Sequence, residues 1–105
     1  MAARIYKDDF SIKVLENDKP VIVDFYSDSC IACKKLSPVL CDIEDDYDGR
    51  IDVYKINTGY EQELVEKYGI LSNPTLILFK DGQVAGKQVG AKDYDELSDW
   101  IDELI

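Results

Sequence analysis

Apolar residues recur along this chain at two different periods, and the switches between them mark out its elements. "VIVDFYS", Val21 to Ser27, is β-branched and aromatic, which predicts a buried strand starting after Pro20. From about Cys30 the period changes. Leu36, Leu40, Ile43 and Tyr47 recur at steps of four, three and four, a core-facing helical stripe with Gly49 as its stop. Ile51 to Asn57 alternates like a strand, and Tyr60 to Gly69 fits a short helix ended by Gly69. "PTLILF", Pro74 to Phe79, is an almost unbroken apolar run, which predicts a central strand. Asp81-Gly82 is a hairpin signal leading into a strand at Val84 to Val89.

The two ends follow the same logic. Asp8 to Leu15 fits a short helix with Asp8 or Asp9 as its cap, and Phe10 and Val14 lie one turn apart on one face. A first strand is expected near Ala3 to Tyr6. At the far end, Asp93 and Glu96 fit a capping box, and Tyr94, Leu97, Ile101 and Leu104 form the apolar stripe of a closing helix. Helix-separated strands followed by a hairpin predict an α/β domain: a mixed sheet with helices on both faces.

Composition narrows the function classes. With 105 residues the chain is expected to be one domain, 1–105, able to build a core without a disulfide framework or metal. Asp and Glu number 22 against 12 Lys and Arg, a net charge of −10. The basic footprint that displaces counterions from nucleic acid is missing, and anionic membrane surfaces are disfavoured for the same reason. No apolar run is long enough to span a bilayer, and "MAARIYKDDF" lacks the apolar stretch of a secretory signal, so the chain is read as cytoplasmic. The absence of histidine removes the usual general base, the usual zinc partner of cysteine, and any Ser-His or Cys-His triad.

Candidate chemistry centres on "DSCIACKK", Asp28 to Lys35. Cys30 falls at a predicted helix start, where unpaired N–H groups and the positive end of the dipole stabilise a thiolate. Lys34 and Lys35 add positive charge and Asp28 opposes it. A thiolate is the form that attacks a disulfide, and Cys33 is close enough in the chain to close a small ring with Cys30. A closed zinc site needs four Cys or His, whereas this chain offers one CxxC and a distant Cys41, so no metal is expected within one chain. Two small apolar residues opening a helix would be the purely structural reading. Cys41 falls about 80° further round the helix than Cys33, at about 100° per residue. It shares that face with Ser37, Glu44 and Asp45 and is expected to be exposed and weakly reactive. Asp24 shares a strand face with Ile22 and Tyr26, so its carboxyl is expected in apolar surroundings that raise its pKa.

Three pieces in register carry a family resemblance. "VDFYSDSCIACKKLSPVL" resembles the active-site region of thioredoxins, "YGILSNPTLILFKDGQV" resembles the segment with their cis-proline, and "VGA", Val89 to Ala91, resembles the loop after their last strand. The match runs from about residue 5 to the C-terminus. The resemblance implies a thioredoxin fold, a central mixed sheet flanked by four helices. It also implies a dithiol–disulfide oxidoreductase in which Cys30 is the nucleophile and Cys33 the resolving thiol. Pro38 matches the proline inside the active-site helix, and Pro74 the cis-proline facing the cysteines. Asn73 and Gly90 match positions that receive an extended substrate chain, with Ile31 and Ala32 beside the nucleophile. Asp24 matches the buried aspartate that helps deprotonate the resolving cysteine, and Lys55 its lysine partner. No bound cofactor is implied: electrons come from a thioredoxin reductase and pass to disulfide-containing proteins, with the chain acting as a monomer.

The departures are specific. The common family motif is Trp-Cys-Gly-Pro-Cys, and here it is Ser29-Cys30-Ile31-Ala32-Cys33. Ser29 removes an aromatic surface beside the nucleophile, Tyr26 stands where a second tryptophan is usual, and Asn73 stands where an apolar or threonine side chain is common. Redox poise and partner choice are thus the properties that transfer least. They keep open a rival reading: a non-catalytic binding module on the same fold, or a cluster held between two chains through the CxxC.

Overall fold

The computed structural model describes residues 2–105. Its elements, in chain order, are β1 (Ala3–Arg4), α1 (Lys7–Phe10) continuing into a π-helical turn (Ser11–Leu15), β2 (Val21–Tyr26), α2 (Ile31–Asp46), β3 (Asp52–Asn57), α3 (Gln62–Tyr68), β4 (Thr75–Lys80), β5 (Gln83–Val89) and α4 (Tyr94–Leu104). The five strands form one sheet in the order β1-β3-β2-β4-β5. β1, β3 and β2 are mutually parallel neighbours, while β4 runs antiparallel to both β2 and β5. This is the mixed sheet with four helices that the pattern and the resemblance lead one to expect.

Alternation along β2 sorts its side chains between two cores. Val21, Val23 and Phe25 join Phe10, Val14, Leu64, Ile77 and Phe79 on the face covered by α1 and α3. Ile22 joins Leu36, Leu40, Ile43, Leu76, Leu78, Leu97 and Ile101 on the face covered by α2 and α4. Period two therefore places Asp24 and Tyr26 on the α2 side of the sheet. On β3, Val53 lies on that side and Ile56 on the other, so Lys55 also points toward α2. The helical stripe of Leu36, Leu40, Ile43 and Tyr47 is buried as its spacing requires. β4 is an interior strand, buried and paired on both sides as its apolar run predicts, and β2 lies at the middle of the sheet.

Several boundaries differ from the sequence expectation for local reasons. The first helix starts at Lys7, and Asp9 is not its cap but sits one turn in, its carboxylate accepting the Tyr6 N–H at 3.1 Å. The second half widens into the π turn, and the Glu16 N–H reaches the Ser11 carbonyl at 2.9 Å. β2 ends at Tyr26 because Ser27 is already in the turn, its carbonyl accepting the Cys30 N–H at 3.3 Å. α3 begins only at Gln62. The N–H groups of Tyr60 and Glu61 are held by the Asn57 carbonyl at 3.1 and 3.2 Å, while the Asn57 side chain accepts the Gly59 N–H at 2.9 Å. That side chain makes a local turn that competes with the helix.

The hairpin joining β4 to β5 is of the kind its sequence demands. Asp81 and Gly82 both have positive φ, 55° and 77°, the geometry that matches the twist of the flanking strands. At α4 the Asp93 carboxylate accepts the Glu96 N–H at 2.8 Å and the Glu96 carboxylate accepts the Asp93 N–H at 3.4 Å, a complete capping box. At the β1 edge, the Arg4 guanidinium lies between the rings of Tyr6 and Tyr60, 4.8 and 5.2 Å from their centroids. Replacing Asp93 by alanine removes the cap and is expected to lower stability by about 1 kcal/mol, read as a lower urea midpoint with an unchanged slope.

Candidate functional site

The sheet register gathers the chemistry at one end. β2 and β3 pair Asp24 with Lys55, and β2 and β4 pair Phe25 with Thr75, so Pro74 lies level with the end of β2 where the chain turns toward Cys30. Thr75 also pairs with Val89, which brings Gly90 level with Pro74; the Gly90 N–H donates to the Pro74 carbonyl at 2.8 Å.

Cys30 is the N-cap of α2, in an extended conformation, and its sulfur accepts the Cys33 N–H at 3.0 Å. The two cysteines form a disulfide with Cα atoms 5.2 Å apart. Cys33 is buried and Cys30 half-buried, so an incoming sulfur meets Cys30 first. Once reduced, Cys30 remains at the helix start, where unpaired N–H groups and the dipole favour its thiolate. Ile31, beside it, is exposed, and Ala32 is half-buried. Pro38 lies inside α2 without breaking it; lacking an N–H, it leaves the Lys34 carbonyl without its helical donor.

Beneath the disulfide, a cavity of about 170 Å³ is lined by Asp24, Tyr26, Ser27, Asp28, Cys33, Lys34, Ser37 and Lys55. Asp24 is only 6% exposed, and its Oδ1 is buried without a hydrogen-bond partner. Burial pushes its carboxyl up to about 7, and the Lys55 charge opposes that rise. The carboxyl is buried and its pKa raised as the sequence leads one to expect, but the cavity wall beside it is mostly polar and charged rather than apolar. Lys55 itself makes no ion pair with Asp24 within 4.0 Å; its ammonium sits 5.1 Å from the centre of the Tyr26 ring.

The Asn73-Pro74 peptide bond is cis. Asn73 donates through Nδ2 to Thr58 Oγ1 at 3.2 Å, and Thr58 Oγ1 donates to the Tyr26 carbonyl at 3.2 Å. Gly90 has φ +89°, a conformation that side chains disfavour, and a Cβ built there would meet nothing within 4 Å. The space above it is open. Cys41 departs from its expected exposure: it is half-buried, because a rotation of about 80° from the buried Cys33 direction leaves it at the margin of the core stripe. Among the described residues no group of three or more Cys, Asp or Glu side chains is arranged to hold a metal ion, and no helix is long and apolar enough to cross a membrane.

Known proteins resemble this chain in sequence along almost its whole length. The thioredoxin family model matches residues 2–103. A thioredoxin of Rickettsia felis is 36% identical over 105 residues, covering 100% of both chains. One from Pseudomonas aeruginosa is 41% identical over 96 residues, covering 91% of this chain and 89% of its own. Thioredoxin 1 of a Nostoc species is 38% identical over 104 residues, covering 99% of this chain and 97% of its own.

The chain belongs to the thioredoxin family.

It is therefore a thiol–disulfide oxidoreductase, a disulfide reductase of the kind that works through a redox-active cysteine pair without a prosthetic group. Three polar residues beside the site escape a reading of motifs. Thr58 joins Asn73 to Tyr26, Asn57 donates to Asp28 at 3.3 Å, and Ser37 lines the cavity one turn beyond Cys33. The signal for the first two is the polar "NT" that ends β3, where the strand's side chains meet the neighbouring loops.

The raised carboxyl has a consequence for stability. Between pH about 4 and about 7, folded Asp24 holds a proton that the unfolded chain has released, so the cost of burying its charge is absent at low pH and grows as pH rises through that window. Asp24→Asn removes the cost. The variant is expected to be more stable than the parent at pH 8, by up to about 4 kcal/mol, with the difference gone below pH ~4. Urea unfolding across that pH range measures it.

Proposed function

We propose that the protein reduces protein disulfides by a two-step exchange. The Cys30 thiolate attacks one sulfur of a substrate disulfide; a Cys30–substrate bond forms and the substrate's other sulfur leaves as a thiolate. The Cys33 thiol gives its proton to Asp24, and the resulting thiolate attacks Cys30. The Cys30–Cys33 bond closes and the substrate departs with both sulfurs reduced. Two electrons pass from the pair to the substrate, and a thioredoxin reductase restores them.

The observation that carries this reading is the asymmetry of the disulfide: Cys30 faces outward, while Cys33 is buried in a cavity wall shared with Asp24. A carboxyl that exchanges its proton at about 7 is matched to a proton acceptor working near neutrality. Lys55 then acts as the charge that keeps Asp24 from rising further. Ile31, Ala32, Asn73, Pro74 and Gly90 form the docking surface for an extended substrate segment. Gly90 leaves open space for its approach, and the exposed Leu71 and Ile31 supply apolar contact. Each copy of the domain, 1–105, carries the whole couple, so we read the working unit as a monomer. A reductant of this type belongs in the cytoplasm, where thiols are kept reduced; acidic composition argues against nucleic-acid or membrane partners.

Cys30→Ser is expected to abolish reduction of a model protein disulfide by the reduced protein. Cys33→Ser is expected to stop after one exchange and accumulate a mixed disulfide visible by intact mass. Turnover by Cys30→Ser at more than a few per cent of the parent rate would rule the mechanism out, whereas a binding module would show no disulfide reduction in the parent and would keep its binding in Cys30→Ser.

A further inference from the structure

Asp24 and Lys55 are aligned partners on adjacent parallel strands, and both side chains point toward α2. Strands lie about 4.8 Å apart, well within a lysine's reach, so the default expectation for such a pair is contact between ammonium and carboxylate. That contact is missing. The Lys55 Nζ instead lies 5.1 Å from the centre of the Tyr26 ring, two residues further along β2, and Asp24 Oδ1 is left without a partner. The cavity confines the alternatives. Its titratable and charged groups are Asp24 and Tyr26 from β2, Lys55 from β3, Asp28 from the loop, and Cys33 and Lys34 from α2, with apolar Leu76 of β4 paired beside Asp24. Lys34 is exposed and makes no ion pair with Asp24 within 4.0 Å either.

We propose that Tyr26 is a positioning residue: its ring face holds the Lys55 ammonium out of ion-pair range of Asp24, leaving the carboxyl group free to exchange a proton with Cys33. The inference rests on the reading of Asp24 as proton acceptor and adds the element that regulates it. A cation over a half-buried ring is attracted by the ring face while keeping much of its water, whereas following the carboxylate into the cavity would strip water from the ammonium. The two positions are close enough in free energy for one ring to choose between them. A lysine paired directly to Asp24 would fix the carboxylate in its charged form, which is a weaker base toward a thiol. The tyrosine hydroxyl has no part in this; the aromatic face does.

The test is a double-mutant cycle read on the oxidised protein through the carboxyl carbon resonance of Asp24. Lys55→Gln is made in the parent and in Tyr26→Leu. Freed from the ring, Lys55 is expected to move to Asp24, so removing it should shift the Asp24 titration midpoint to higher pH, by a factor in proton concentration at least tenfold larger in the Tyr26→Leu background than in the parent. Tyr26→Phe should titrate like the parent. An equal effect of Lys55→Gln in both backgrounds overturns the proposal, since loss of burial alone would act without the lysine. The parent protein supplies an independent check if Tyr26→Leu fails to fold. The Lys55 ε-methylene protons should show an upfield ring-current shift that Tyr26→Phe retains, and its absence equally overturns the proposal. The pH profile of disulfide reduction separates the two readings. If the Asp24 midpoint moves through Lys55 as expected while the profile stays fixed, the role of Asp24 as proton acceptor fails and the holding of Lys55 by Tyr26 stands.

Discussion

β2 is hydrogen-bonded on both sides and covered on both faces, and the remainder of the molecule is arranged around that enclosure. Its odd-numbered residues bind one pair of helices to the sheet and its even-numbered ones the other. At the C-terminal end of this enclosed strand the chain turns within four residues into the first turn of α2, so the disulfide is presented just beyond a strand paired on both sides and covered on both faces. Support of that kind holds a nucleophile and its resolving partner in one geometry through repeated exchange.

Within the same strand, burial of the Asp24 carboxyl works against stability near neutrality, a cost that the proposed proton exchange with Cys33 requires. The position is tolerable because a cavity, a lysine and an open end of the sheet lie beside it. Two of the polar departures around the site, Tyr26 and Asn73, are connected through Thr58: Asn73 donates to Thr58, Thr58 donates to the Tyr26 carbonyl, and the Lys55 ammonium lies over the Tyr26 ring. Residues far apart in the linear sequence are thus consecutive members of one set of contacts, running from the cis-proline loop to Lys55 and stopping short of the buried carboxyl.

Much of the fold was legible because long apolar stripes have one way to be buried. The Leu36–Tyr47 stripe, the β2 run and the Asp93 capping box each follow from local rules that the tertiary structure does not override. The cysteine pair was legible for a similar reason, since a strand leading to CxxC at a helix start is itself a chemical arrangement. Less legible were features decided by competition between neighbours. Asn57 delays α3 by accepting the Gly59 N–H, and nothing in a helical wheel reports that. Lys55 could be assigned to Asp24 through the resemblance, but its choice of the Tyr26 ring depends on two strands being brought side by side. Cys41 was placed by angle alone, and an angle locates a residue relative to its helix, not to the depth of the neighbouring layer.

The sheet's two outer strands end its growth by different means. β1 offers only two residues, with the Arg4 guanidinium set between two tyrosine rings, so an approaching chain finds a template too short to extend and a charge in its way. β5 is seven residues long but carries Gln83, Lys87 and Gln88, and its pairing with β4 is irregular at Leu78/Phe79. Charge and a local kink do there what brevity does at the other edge. For a disulfide reductase such guarded margins disfavour indiscriminate strand-to-strand annealing along the sides of the sheet, away from the end that holds the cysteines.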